Sequence, residues 1–156
     1  MQETSKIDQM DRKILTALQN DARLTNNELA DQIGLSPSQC SRRRSRLEAD
    51  GIITGYHARL DRSAAGFGLI SIISVTLATH NADNASILAQ LFEDLPNVLE
   101  AYAMTGEMDY HVKVITPDLK TLSDFINSEL LAHEAVQNVK TAIVLEVLKD
   151  GTTLPV

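Results

Sequence analysis

A chain of 156 residues with 44% apolar and 22% charged side chains has room for one domain or two small ones and too much apolar content for wholesale disorder. Its longest apolar run, Leu69–Ala78, carries Ser71, Ser74 and Thr76 and is too short to cross a bilayer. The polar opening Met-Gln-Glu-Thr-Ser-Lys lacks the apolar core of a secretory signal, and the lone Cys40 excludes an internal disulfide or a cysteine-based zinc site. A cytoplasmic location is therefore expected.

Residues 8–20 read as an amphipathic helix, with Ile7, Met10, Ile14, Leu15 and Leu18 on one stripe. Thr25 followed by Glu28 predicts a capping box for a second helix, with Leu29, Ala30 and Ile33 inward and Gly34 as its stop. Ser36-Pro37 opens a third, with Ser36 as cap and Pro37 at the first helical position, running to about Asp50 before Gly51. Three helices with a short Gly-containing turn between the last two have the form of a helix-turn-helix. The loose alternation of Ile52–Leu60 suggests a short hairpin or connecting strand, and Asp61–Gly68 reads as the border between two domains, 1–62 and 63–156.

Beyond that border the texture changes. Leu69–Thr79 is rich in β-branched residues and predicts a strand. Ile87, Leu88, Leu91, Phe92 and Leu95 form a helical stripe ended by Pro96. Val98–Thr105 and Tyr110–Ile115 predict two strands joined by a Gly106-Glu107-Met108-Asp109 hairpin. Pro117-Asp118 then opens a helix with Leu119, Leu122, Phe125, Ile126 and Leu130 inward, and Val136–Leu148 predicts a last long strand. The order βαββαβ predicts an α+β, ferredoxin-like sandwich of an antiparallel sheet and two helices.

The net charge of −7 averages two unlike halves. Residues 1–62 hold ten Lys/Arg against nine Asp/Glu, a net of +1, while residues 63–156 carry −8. Only the first half suits a polyanion. On a wheel of the third helix with Arg42 at the origin, Cys40 and Leu47 fall about 140–160° away, so the buried face centres near 150°. Arg42 and Arg46 then lie opposite the core, Ser38, Gln39 and Ser45 alongside them, and Arg43 and Arg44 on the flanks. Long donors framed by small polar residues are what a major-groove reader needs. An Arg run is also what any solvated helix face looks like; its position on the third helix favours the reader. Cys40, on the inner face, reads as a small core residue.

The chain resembles the Lrp/AsnC family of feast/famine regulators. The likeness shows in Ile7-Asp8-Gln9-Met10-Asp11-Arg12-Lys13-Ile14-Leu15, Ala22-Arg23-Leu24-Thr25, Glu28-Leu29-Ala30 and Gly34-Leu35-Ser36-Pro37. It continues through Arg42-Arg43, Arg46-Leu47-Glu48, Gly51-Ile52-Ile53 and Gly55-Tyr56, and returns in Thr105-Gly106-Glu107-Met108-Asp109-Tyr110 and Thr141–Leu145. The resemblance implies a winged helix-turn-helix joined to an effector domain similar to amino-acid-sensing (ACT-like) modules. It implies homodimers that assemble further, commonly into octamers, and an amino acid or related small acid bound where neighbouring dimers meet. By the same resemblance Thr105, Gly106, Asp109 and Tyr110 line the effector site. Physically, Gly106 lets backbone N–H groups approach a carboxylate and Asp109 can accept from an ammonium, although Gly and Asp suit a plain hairpin turn equally. Arg44 departs from the family pattern, which is usually apolar there, and Asn138-Val139 stand where polar or charged side chains are common.

The sequence-level reading is thus a sequence-specific, DNA-binding transcription regulator with expected contacts from Ser36, Ser38, Gln39, Arg42, Arg43, Arg44, Ser45 and Arg46, no cofactor and no metal. One alternative is an architectural DNA-binding protein without a ligand. Another is a small ferredoxin-like enzyme using His57, His80, His111 or His133, although these show no metal or triad spacing. RNA binding lacks an aromatic stacking platform, with three Phe, three Tyr and no Trp.

Overall fold

A computed structural model describes residues 7–79, 81–151 and 153–156. Its elements are α1 (Gln9–Asn20), α2 (Asn26–Ile33), α3 (Pro37–Ala49), β1 (Leu69–Leu77), α4 (Ala82–Asp94), β2 (Val98–Ala103), β3 (Tyr110–Thr116), α5 (Leu119–Phe125), a π-helical turn Ile126–Leu130, and β4 (Val136–Ile143). They fall into two compact units. One runs to Arg59 and includes Lys149–Val156, and the other is Leu60–Leu148. Among the described residues no helix is long and apolar enough to cross a membrane.

The helical unit is built by its caps. Asp8 accepts from the Asp11 N–H at 2.8 Å while Asp11 accepts from the Asp8 N–H at 3.1 Å, closing a capping box on α1. Thr25 and Glu28 do the same for α2, which ends on Gly34 at φ 78°. Ser36 and Gln39 do it for α3, with Pro37 at its start. Gly51, at φ 70°, turns the chain so that the Ile52 and Ile53 N–H groups close on the Leu47 carbonyl. Ile14, Leu15, Leu18, Leu29, Ala30, Ile33, Cys40 and Leu47 form the core.

Two expectations about this unit's edges change. Ile52–Leu60 forms no strand within the chain, because its exposed backbone finds no partner strand among the described residues. Lys149–Val156, expected with the second domain, makes its contacts with this unit. Arg59 Nη2 pairs with Asp150 Oδ2 at 2.7 Å, Gln19 binds the Leu154 backbone, and Val156 packs against the helical core.

The second unit is an antiparallel sheet in the order β2-β3-β1-β4, with α4 and α5 as the crossovers of a split βαβ pair. Period-two alternation sends Ile73, Val75, Leu77, Val112 and Val114 toward Leu88, Phe92, Leu122, Phe125 and Leu130 of the helices. The register sets Ser74 opposite His111 on one side and Lys140 on the other, on the face away from the helices. Leu119, expected inward, is 60% exposed: it is the first residue of α5, ahead of the buried Leu122 and Phe125. β4 stops at Ile143, shorter than expected: Ile143 is opposite Ser71 near the start of β1, and one more bond, Val144 N–H to Ile70 O, ends the ladder.

Candidate nucleic-acid interface and effector loop

On α3 the four arginines do four different things. Asp11 of α1 is fully buried, and its carboxylate accepts from Arg43 Nη1 at 2.8 Å, from Arg46 Nη2 at 2.5 Å and from the Asp8 N–H. Arg43 Nη1 also reaches Asp8 Oδ2 at 2.6 Å. Arg46 is therefore drawn back onto α1 instead of standing opposite the core. A wheel of α3 alone cannot show this, because the carboxylate that captures the side chain sits on another helix. Asp8 is lowered to about 2, first by the Asp11 N–H and then by the Arg43 guanidinium, so it stays charged. Arg43 is held above its ordinary range by Asp11 and then Asp8.

Arg44 stacks its guanidinium 4.7 Å from the centre of the Tyr56 ring. It donates to Tyr56 Oη at 2.9 Å, to Glu48 Oε1 at 3.2 Å and to the Leu24 carbonyl at 3.0 Å. The Tyr56 hydroxyl donates to Glu48 at 2.7 Å, which is the first cause of the lowered Glu48 carboxyl, ahead of Arg44. The position departs from the family's apolar habit by burying its stem and stack against Tyr56, not by widening a basic flank. Arg42 is exposed and, among the described residues, is the one α3 arginine with no hydrogen bond or ion pair.

The small polar residues are arranged around caps. The Gln39 carbonyl oxygen accepts from the Ser36 N–H at 3.0 Å and from its hydroxyl at 3.1 Å, and Ser36 Oγ lies 3.1 Å from Ser38 Oγ. Gln39 thus keeps its NH₂ for an outside acceptor, whereas two-point reading of adenine needs its oxygen as well. Ser38, Gln39, Arg42 and Ser45 are all exposed. Burial pushes the Cys40 thiol up, consistent with a core side chain.

In the second unit the β2–β3 connection, residues 104–109, is tied down at its far end. Met104 N–H donates to the Asp109 carbonyl at 2.8 Å, and Asp109 N–H to the Val75 carbonyl at 3.1 Å. One Asp109 oxygen accepts from the Leu77 N–H at 2.8 Å, where the β1 register breaks. Gly106 adopts φ 127°, which a side chain would strain. Thr105 and Gly106 are exposed and Asp109 is half-buried. Tyr110 parts from the other three. Its ring packs edge-on to Phe92 with centroids 5.6 Å apart, and lines a groove of about 450 Å³ with Phe92, Val98, Ala101 and Ala103.

Comparison with known proteins settles what kind of molecule carries these parts. Residues 70–154 match the Lrp/AsnC ligand binding domain, and residues 7–54 match a winged helix-turn-helix DNA-binding domain. The chain belongs to the Lrp/AsnC family. It is 37% identical over 146 residues to the leucine-responsive regulatory protein of Rhizobium meliloti, covering 94% of each chain. A transcriptional regulator of Neisseria meningitidis, solved as an L-Met complex, superimposes with a TM-score of 0.93 at 37% identity, over 96% of this chain and 97% of that one. Escherichia coli AsnC gives 0.86 at 33% identity, over 94% and 97%.

This regulator is a DNA-binding transcription factor under the control of a small-molecule effector, as its two family domains and named relatives establish. It is not an enzyme, since those relatives are regulators. The histidines take local roles: His111 Nδ1 lies 3.1 Å from Ser74 Oγ, and His133 Nδ1 accepts from the Ala135 N–H at 3.2 Å. His80 lies outside the described residues. Sequence reasoning missed Asp8, Asp11 and Tyr56 as partners of the arginines. One signal was present: Asp11 is three, four and seven residues before Ile14, Leu15 and Leu18, so it sits on the apolar stripe, and a buried acid there requires cationic partners.

Proposed function

We propose that this regulator binds a double-stranded operator through the exposed face of α3 and changes that binding when an amino acid occupies the effector loop. The observation that carries the reading is Arg42, unpaired among the described residues and flanked by exposed Ser38, Gln39 and Ser45. A guanidinium in that position takes a guanine edge or a phosphate, and small neighbours let the helix enter the groove. Arg43, Arg44 and Arg46 support the helix, and Ser36 caps it while its N-terminus faces the phosphate backbone.

The effector reading is supported by the L-Met bound to the Neisseria relative. Backbone N–H groups beside Gly106 take the carboxylate, Thr105 adds a hydroxyl, and Asp109, oriented by the Leu77 N–H, faces the ammonium. Tyr110 backs the loop from the helix side. The regulator works in the cytoplasm as homodimers that associate further, up to an octamer, so that effector occupancy is linked to the spacing of paired reading helices. A thermal-shift screen against the twenty amino acids and common 2-oxo acids tests the effector, since a ligand of the native state raises the melting temperature. A response to at least one amino acid is expected; silence to all of them removes the effector half of the proposal and favours ligand-free architectural binding.

A further inference from the structure

The pairing of α1 with α3 bears on how the reading helix discriminates. We infer that Asp8 and Asp11 are positioning residues for DNA recognition: they hold Arg43 and Arg46 and cancel their charge, so that sequence discrimination rests on Arg42. This deepens the proposed function and depends on α3 being the reader.

The charge count on α3 is specific. Arg43 is bound by Asp8 and Asp11, Arg46 by Asp11, and Arg44 by Glu48. Two carboxylates therefore neutralise Arg43 and Arg46, and a third neutralises Arg44. Arg42 is left as the uncompensated cation of the helix among the described residues. Asp11 holds its partners from a fully buried position, while Asp8 is half-exposed on a shallow depression of about 290 Å³ lined by Asp8, Arg42, Arg43 and Arg46. A phosphate approaching Arg43 there meets a carboxylate.

This arrangement acts on the term that does not discriminate. Affinity for any duplex comes chiefly from cations that neutralise phosphates and release counterions. Four free arginines on one helix would grip all DNA and dilute the contribution of base contacts. Arg43 through Nη1 and Arg46 through Nη2 are each held by a carboxylate, which offsets their charge and leaves fewer N–H groups to turn toward a base. Asp8 and Asp11 thus lower the non-specific term and leave one side chain to read.

The test uses the full chain as wild type, Asp8→Asn, Asp11→Asn and Arg42→Ala, with an operator selected from a random-sequence library and a scrambled duplex of equal length. Affinity for both is measured by fluorescence anisotropy across a salt series. Asn still caps α1, so Asp8→Asn keeps the fold and decides the matter even if Asp11→Asn does not fold. The expected result is a several-fold gain of Asp8→Asn on the scrambled duplex, a log affinity–log salt slope steeper by about 1, and a lower operator-to-scrambled ratio. A purely structural role would lower stability and leave slope and ratio unmoved. If Arg42→Ala loses operator preference while Asp8→Asn keeps the wild-type slope and ratio, the inference about the aspartates is overturned and the α3 reading stands. If Arg42→Ala keeps wild-type preference, the α3 reading falls and the inference falls with it.

Discussion

The Gln19 carboxamide and the Leu154 backbone exchange two hydrogen bonds, Leu154 N–H to Oε1 at 2.6 Å and Nε2 to the Leu154 carbonyl at 3.2 Å. They join positions 135 residues apart and make Lys149–Val156 part of the DNA-reading unit. Gln19→Ala should destabilise that unit by about 1–2 kcal/mol, the worth of such bonds in mutational series. Removing residues 151–156 should cost more, because Val156 leaves the core as well. Urea unfolding followed by helical circular dichroism measures both, and a truncated chain with an unchanged midpoint would refute the assignment of the tail.

Arg46 and Arg42, indistinguishable on a helical wheel, should separate in stability measurements. Arg46→Ala strips a charged donor from buried Asp11 and is expected to cost about 1.5–3 kcal/mol. Arg42→Ala touches no partner among the described residues and should stay within about 0.5 kcal/mol of wild type. Equal midpoints for the two variants would show that the Asp11 pair is not formed in solution.

Asp109 has a structural duty and a proposed ligand duty, and these come apart with the right substitution. In Asp109→Asn the side-chain carbonyl still accepts from the Leu77 N–H, so stability should fall less than in Asp109→Ala, which loses that bond, worth about 1–2 kcal/mol. Both should lose the effector-induced thermal shift. A full shift in Asp109→Asn would take the ammonium contact away from this residue.

Acid should weaken the helical unit in a definite window. The Asp8 carboxyl falls from an ordinary 3.8 to about 2 on folding, first through the Asp11 N–H and then through Arg43. A depressed folded value stabilises the fold above the unfolded value and is lost as pH drops through the folded one. The contribution is therefore complete above about pH 4 and fades toward about pH 2. Glu48, lowered by the Tyr56 hydroxyl and then Arg44, acts in the same sense. Unfolding midpoints of wild type and Asp8→Asn should converge as pH falls through this window; parallel curves would contradict the assignment.

What the sequence made legible was whatever depends on neighbours in the chain. Thr25 with Glu28, Ser36 with Pro37, and the glycines at 34 and 51 mark helix ends through bonds spanning three or four residues, and the structure has each of them. The β-branched richness of Leu69–Thr79 and the βαββαβ order likewise lead to the observed sheet. What stayed hidden depends on residues far apart. The capture of Arg46 by Asp11, the stacking of Arg44 on Tyr56 and the return of Leu154 to Gln19 are tertiary contacts that no local period encodes. The Tyr110 ring was assigned by resemblance to the effector site, whereas strand parity sends it toward Phe92.

On the proposed function, α3 reads DNA through Arg42 and an amino acid at the Thr105–Asp109 loop alters the reading. The most direct test measures the affinity of wild type and Arg42→Ala for a library-selected operator, with and without the amino acid that gives the largest thermal shift. Wild-type affinity should change with the amino acid, and Arg42→Ala should lose about 1–3 kcal/mol of operator binding while keeping the thermal shift. Wild-type operator affinity in Arg42→Ala, or an operator affinity that no amino acid alters in the wild type, would contradict it.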